Sequence, residues 1–156
     1  LLLLIRNPEQ EAKVRADRSL IPNMVEEMLR LLSPTAGLWR VAAKDTMVGD
    51  VAVKRGEMVM LRFAAANRDP EVFPEPDSFD VTRKNARSHL AFGRGIHMCV
   101  GNMLSRKEVA VAFEELLARY GSFALAPGKN DFRHAPNKLL RGLIELHVNL
   151  NERTAA

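Results

Sequence analysis

The sequence is poor in cysteine: Cys99 is the only one in 156 residues. A single thiol excludes an internal disulfide framework and the usual multi-cysteine zinc site. It makes a reducing, cytoplasmic setting the expectation. Aromatic residues are only 6% of the chain and the 23 basic residues are dispersed. The net charge of +4 therefore admits an acidic partner without pointing to nucleic acid. Long apolar runs are missing too. The opening Leu1-Leu2-Leu3-Leu4-Ile5 is too short to span a bilayer and lacks the basic flank and cleavage site of a signal peptide. It reads as the tail of a helix, and the chain as part of a longer protein. Internal repeats and low-complexity linkers are absent as well.

What is present suffices for one domain with a real core, at 47% hydrophobic and 27% charged residues. Asn7-Pro8-Glu9-Gln10 predicts a helix start, with Asn as cap, Pro at the first turn and Gln at the capping-box position; the helix should run to about Ala16. Ile21-Pro22 opens a second helix with Met24, Val25, Met28, Leu29 and Leu32 on its apolar side, ending at Ser33-Pro34. Between Arg40 and Leu61, short β-type runs separated by Gly49-Asp50 and Arg55-Gly56 predict strands and hairpins. Residues 67 to 90 hold three of the eight prolines and read as one long irregular loop. A helix is expected from Val100 to Tyr120, stopped by Gly121, and the loosely alternating tail from Phe123 to Leu150 predicts a β-hairpin around Lys138 to Gly142. The pattern is α+β.

The densest chemistry lies in AFGRGIHMCVGN, residues 91 to 102. Cys99 stands just before the long helix, where free N–H groups and the helix dipole favour a thiolate. Gly93, Gly95 and Gly101 allow backbone to press against something large, and Phe92 is placed to screen the sulfur. Such a frame suits a thiolate metal ligand. Two other readings stay open at this stage. One is a buried cysteine acting as a small hydrophobe; the other is a nucleophile with His97 as its base. The glycines do not form a dinucleotide fingerprint, because Met98 holds the third glycine position.

The run Phe92 to Gly101 resembles the haem-binding signature of the cytochrome P450 family, in the form common in soluble bacterial members. Three further stretches agree in order and spacing. Glu27-Met28-Leu29-Arg30 is similar to the family's E-x-x-R motif. Asn67 to Phe73 and Phe79 to Arg83 resemble the loop that precedes the haem peptide. The resemblance covers essentially the whole chain.

The resemblance implies an α+β portion of a mainly α fold, with residues 1 to 156 forming the C-terminal part of a single haem-thiolate domain. Cys99 would be the axial ligand of haem b, with Gly101 donating toward the sulfur. His97 and Arg40 would hold the propionates, and Phe92 and Gly93 would flank the cofactor. Glu27, Arg30 and Arg83 would form a structural network. Ala36, Gly37, Leu38, Leu139 and Leu140 would face a hydrophobic substrate, and Arg87, Arg94, Arg106 and Lys107 would dock an acidic ferredoxin. The family's oxygen-activating helix would lie upstream of Leu1, so no catalytic acid is expected here. The expected function is that of a monooxygenase driven by NAD(P)H through a ferredoxin. The alternative is a haem-binding module, or an inactive fragment without turnover.

Overall fold

The computed structural model describes residues 1–152. Its α-helices are α1 Leu2–Arg6, α2 Pro8–Ala16, α3 Ile21–Leu32, α4 Phe63–Ala66 and α5 Asn102–Arg119; four strands lie between α3 and α4 and two follow α5, making three two-stranded antiparallel sheets among the described residues. The core lies where α1, α2, α3 and α5 meet: Leu4, Val14, Ile21, Met24, Val25, Met28, Phe113 and Leu117 pack there with Phe79 and Val81 from the long loop. Helices plus small sheets are what the sequence predicts. No helix among the described residues is long and apolar enough to cross a membrane.

Strand β1, Leu38–Val41, pairs with β4, Met58–Leu61, and the hairpin of β2, Thr46–Val48, and β3, Val51–Val53, is inserted between them. Gly49 sits in the hairpin turn at φ 57°, a left-handed conformation that glycine adopts without penalty. Side chains alternate along a strand, so Leu38 and Arg40 share one face of β1 while Trp39 and Val41 stand exposed on the other.

Three local expectations need correction. Asn7 makes no capping bond through its side chain; it donates to the Leu3 carbonyl, and Gln10 accepts from the distant Val81 N–H instead. On α3, Leu31 rather than Leu32 is buried, because the helix also turns Glu26, Glu27 and Arg30 inward. Helix α5 begins at Asn102 and ends at Arg119; Gly121 lies within strand β5, Tyr120–Leu125. That strand pairs antiparallel with β6, Val148–Glu152, with Phe123 opposite Leu150, as the expected hairpin of the tail requires. The expected turn around Lys138 to Gly142 survives as a small loop joined by the His134–Leu143 bridge.

Between α4 and α5 runs the proline-rich loop, and buried charge orders it. The Glu27 carboxylate, fully buried on α3, accepts both forks of Arg30 at 2.7 and 2.8 Å and Arg83 Nε at 3.0 Å. The two arginines then donate outward. Arg30 reaches the carbonyls of Asn67, Pro76 and Ser78, and Arg83 those of Pro74, Glu75 and Ser78. A proline-rich chain has few N–H groups with which to satisfy its own carbonyls, so these donors replace a secondary-structure ladder.

A second carboxylate ties α3 to α5. Glu26 accepts Arg106 Nε at 2.7 Å on Oε1 and Nη2 at 3.1 Å on Oε2, and His89 Nε2 lies 3.0 Å from the same Oε2. Burial pushes the Glu26 carboxyl up, but the bonds from His89 and Arg106 and the Arg106 charge outweigh it and bring the value down to about 2.

Two outcomes follow for the full-length protein. Glu27→Gln leaves two buried guanidiniums without their counter-charge and should lower the unfolding free energy by about 3–5 kcal/mol, read from denaturant curves. Glu26 has a folded value below its ordinary one, so its contribution is complete above about pH 5 and lost as pH falls toward 2. The stability gap between wild type and Glu26→Gln should therefore close by about 2 kcal/mol across that window, after allowance for solvent screening.

Candidate functional site

Residues 90–101 turn tightly enough to bring distant groups to one cavity. Gly93 and Gly95 adopt φ 69° and 68°, and a Cβ on Gly93 would lie 3.5 Å from the His97 carbonyl. These are the positions where the backbone requires glycine. Gly101 differs. Its φ is −82°, within reach of any residue, but a Cβ there would stand 3.9 Å from Cys99 Sγ. Here glycine keeps the sulfur's surroundings open. Cys99 itself is exposed, which removes the reading of a buried small hydrophobe. Residues 95–97 form a 3-10 turn rather than an extended segment, so the geometry that would set His97 beside Cys99 on one strand face is absent.

The cavity, about 720 Å³, is walled by Leu29, Leu38, Leu61, Phe63, Ala66, Leu90 and Phe92, with Gly93, His97 and Cys99 from the cysteine loop. Arg40, Arg62 and Arg94 also line it, and among the described residues no carboxylate does. Arg40 reaches it from the inward face of β1, its Nη1 2.9 Å from the Trp39 carbonyl. The chemistry of this donor set is specific. Apolar walls suit a flat hydrophobic ligand, a thiol suits a soft transition metal, and cations without acids suit an anion. A metalloporphyrin with two carboxylates combines all three, so the residues present fit haem.

Of the residues expected to face substrate, only Leu38 lines the cavity. The others meet beside it: Ala36 N–H donates to the Leu139 carbonyl, and Thr35 bridges to Leu140. Gly37 is buried, and a Cβ on it would lie 2.3 Å from the Leu61 carbonyl, so glycine there permits a close approach of two strands. Within the basic group, Arg87, Arg94 and Lys107 are exposed, whereas Arg106 is occupied by Glu26.

Sequence reasoning missed Arg62, Phe63 and Leu61, which reach the cavity because β4 pairs with β1 in a register that sets Leu61 opposite Leu38. Period-two alternation through MVML and the following Arg62 was the available signal. It also missed Glu26 and His89, for which the only hint was a second acid beside Glu27.

Comparison with known proteins agrees with this geometry. The family model for cytochrome P450 matches residues 1–141. Cytochrome P450 107B1 of Saccharopolyspora erythraea is 45% identical over 148 residues, covering 94% of this chain and 36% of that protein. The 6-deoxyerythronolide B hydroxylase of the same organism is 42% identical, covering 96% and 37%. Among solved structures, the substrate-free cytochrome P450 CYP150A6 of Mycobacterium marinum superposes with a TM-score of 0.93 at 38% identity, covering 97% of this chain and 39% of that one. P450BioI, solved with an acyl-chain-carrying carrier protein, gives 0.91 at 43% identity, with 96% and 38% covered. The chain thus spans a little over a third of the length of these relatives. The chain belongs to the cytochrome P450 family, whose cofactor is haem.

Proposed function

We propose that residues 1–156 are the C-terminal part of a haem-thiolate monooxygenase domain, and that they supply its thiolate ligand and one wall of its cofactor cavity. The observation that carries this reading is the cavity's composition: one thiol, apolar walls and a cationic lining without acids. Cys99 would hold the iron. Haem held there would supply the oxygen chemistry, and a thiolate ligand from Cys99 would favour it by lending the iron electron density.

The chain's own residues bind and orient. Arg40 and His97 would hold the propionates, whose two negative charges match cations that lack an acidic partner in the cavity lining. Phe92 and Gly93 would lie against the ring, the first excluding water and the second permitting close backbone approach. Leu38 and Leu61 present only hydrocarbon to the same space, which supports a hydrophobic substrate. Ala36, Gly37, Leu139 and Leu140 would set the shape of that wall from behind. The oxygen-activating acid would come from a segment that precedes this chain. Electrons would arrive from NAD(P)H through a ferredoxin, steered in the cytoplasm by the exposed Arg87, Arg94 and Lys107. Arg106 contributes less to that field, because its charge is met by Glu26.

In the full-length protein, the reduced carbon monoxide complex should show a strongly red-shifted Soret band that Cys99→Ala abolishes. A band unchanged in that variant would overturn the reading. Arg40→Leu and His97→Leu should each speed haem loss to an apo-globin acceptor by roughly tenfold or more, the size of one charge-assisted hydrogen bond. They should leave the thiolate band in place.

A further inference from the structure

Cys99 carries three main-chain hydrogen bonds, and two of them lead to one side chain. Its N–H donates to the Phe92 carbonyl at 2.9 Å. Its carbonyl accepts from the Asn102 N–H at 3.2 Å and from Asn102 Nδ2 at 2.7 Å. The Arg106 guanidinium lies 4.6 Å from the centre of the Phe92 ring, and its Nη1 donates to Asn102 Oδ1 at 2.9 Å. That second bond orients the Asn102 amide, since an oxygen engaged by Arg106 leaves the nitrogen to face Cys99.

Arg106 is in turn fixed by Glu26, which grips Nε and Nη2 with both carboxylate oxygens. The same carboxylate meets His89 Nε2, and His89 Nδ1 accepts the Ala91 N–H at 3.0 Å. The ring proton therefore sits on Nε2, toward Glu26, and the ring holds the chain one residue before Phe92. Glu26 and His89 are both buried. From one carboxylate on α3, then, run three constraints on the cysteine loop: through His89 to Ala91, through Arg106 to the face of Phe92, and through Arg106 and Asn102 to the Cys99 carbonyl.

We propose that Glu26 is the positioning residue for Cys99, aiming the thiolate by holding Arg106 and His89 against both ends of the cysteine loop. It touches neither haem nor substrate. Its effect is to remove freedom from a ligand whose own segment, with three glycines, has little stiffness of its own. Arg106 must be arginine for this role, because a planar fork engages a carboxylate, an amide oxygen and a ring face together, and an ammonium offers none of that geometry.

This inference rests on the haem-thiolate reading only for its functional consequence; the clamp itself is a property of the polypeptide. The test uses the full-length protein with Glu26→Gln, Arg106→Lys and Glu11→Gln, the last removing an ordinary ion pair with Arg15. Amide hydrogen exchange is followed at Cys99 and at the core residue Leu117. The expected result is that Glu26→Gln and Arg106→Lys each speed exchange at Cys99 by roughly tenfold, the size of one lost hydrogen bond. Leu117 should stay protected in Arg106→Lys, and Glu11→Gln should leave Cys99 unchanged. In the haem-loaded protein, the same two variants should convert part of the thiolate Soret band of the carbon monoxide complex to the shorter-wavelength form and shift the reduction potential. Because Arg106→Lys keeps the charge, rescue by lysine would overturn the proposal in favour of simple charge neutralisation. So would Cys99 exchange equal to wild type in both variants. If wild type itself lacks a Cys99-dependent band, the haem-thiolate reading fails, while the exchange measurement still decides the clamp.

Discussion

One buried carboxylate governs the architecture. Glu27 has no water to stabilise it, and two guanidiniums take water's place. Each guanidinium has more donors than Glu27 can accept, and the surplus is directed at the carbonyls of the loop between α4 and α5. The arrangement runs inward to outward, from anion to cations to backbone dipoles. An apolar replacement of the acid would leave the cations unmatched, and an apolar replacement of the arginines would leave the loop without donors. Charge is buried here because a proline-rich segment must be held in one shape without a sheet or helix. That shape carries the chain from α4 to the cysteine loop, so the position of Cys99 descends from Glu27 by way of the loop.

Neighbouring acids on α3 divide the labour. Glu27 faces the loop, and Glu26, one residue earlier and rotated about the helix axis, faces α5 and the cysteine segment. The helix is thus a rigid spacer between two electrostatic contacts, and its hydrophobic residues fill the core between them. The cavity shows the opposite arrangement. Its cations are not matched by acids within the lining, which leaves their charge directed at whatever occupies the cavity.

The parts legible in the sequence were those whose physics is local. Helices α2 and α3 announced themselves through proline at the first turn, and the glycines of the cysteine loop through their density. The E-x-x-R spacing set Glu27 and Arg30 on one helix face. Arg83 joined them only through the family pattern, since nothing in a linear sequence states that a residue 56 positions away shares a carboxylate. The capping box at Asn7 failed because Gln10 found a better partner in Val81, a tertiary bond that local rules do not see. The pairing of β5 with β6 was legible in the loose alternation between Phe123 and Leu150, although a long irregular stretch separates the two strands. Arg62 was missed because strand register decides which residue ends a strand facing the cavity. Arg106 looked like one more solvated cation, and only its geometry against Glu26 distinguishes it.

Gly37 has a consequence for how such a cavity diversifies. The carbonyl of Leu61 occupies the space that any Cβ at position 37 would need. Leu38 and Leu61, direct partners across the β1–β4 pair, both line the cavity. Even alanine at 37 would wedge the strands apart and move two wall residues at once. A lineage exploring new pocket shapes by single substitutions is therefore barred from this position and must vary the side chains at 38 and 61, leaving the strand spacing as a fixed gauge against which pocket width is set.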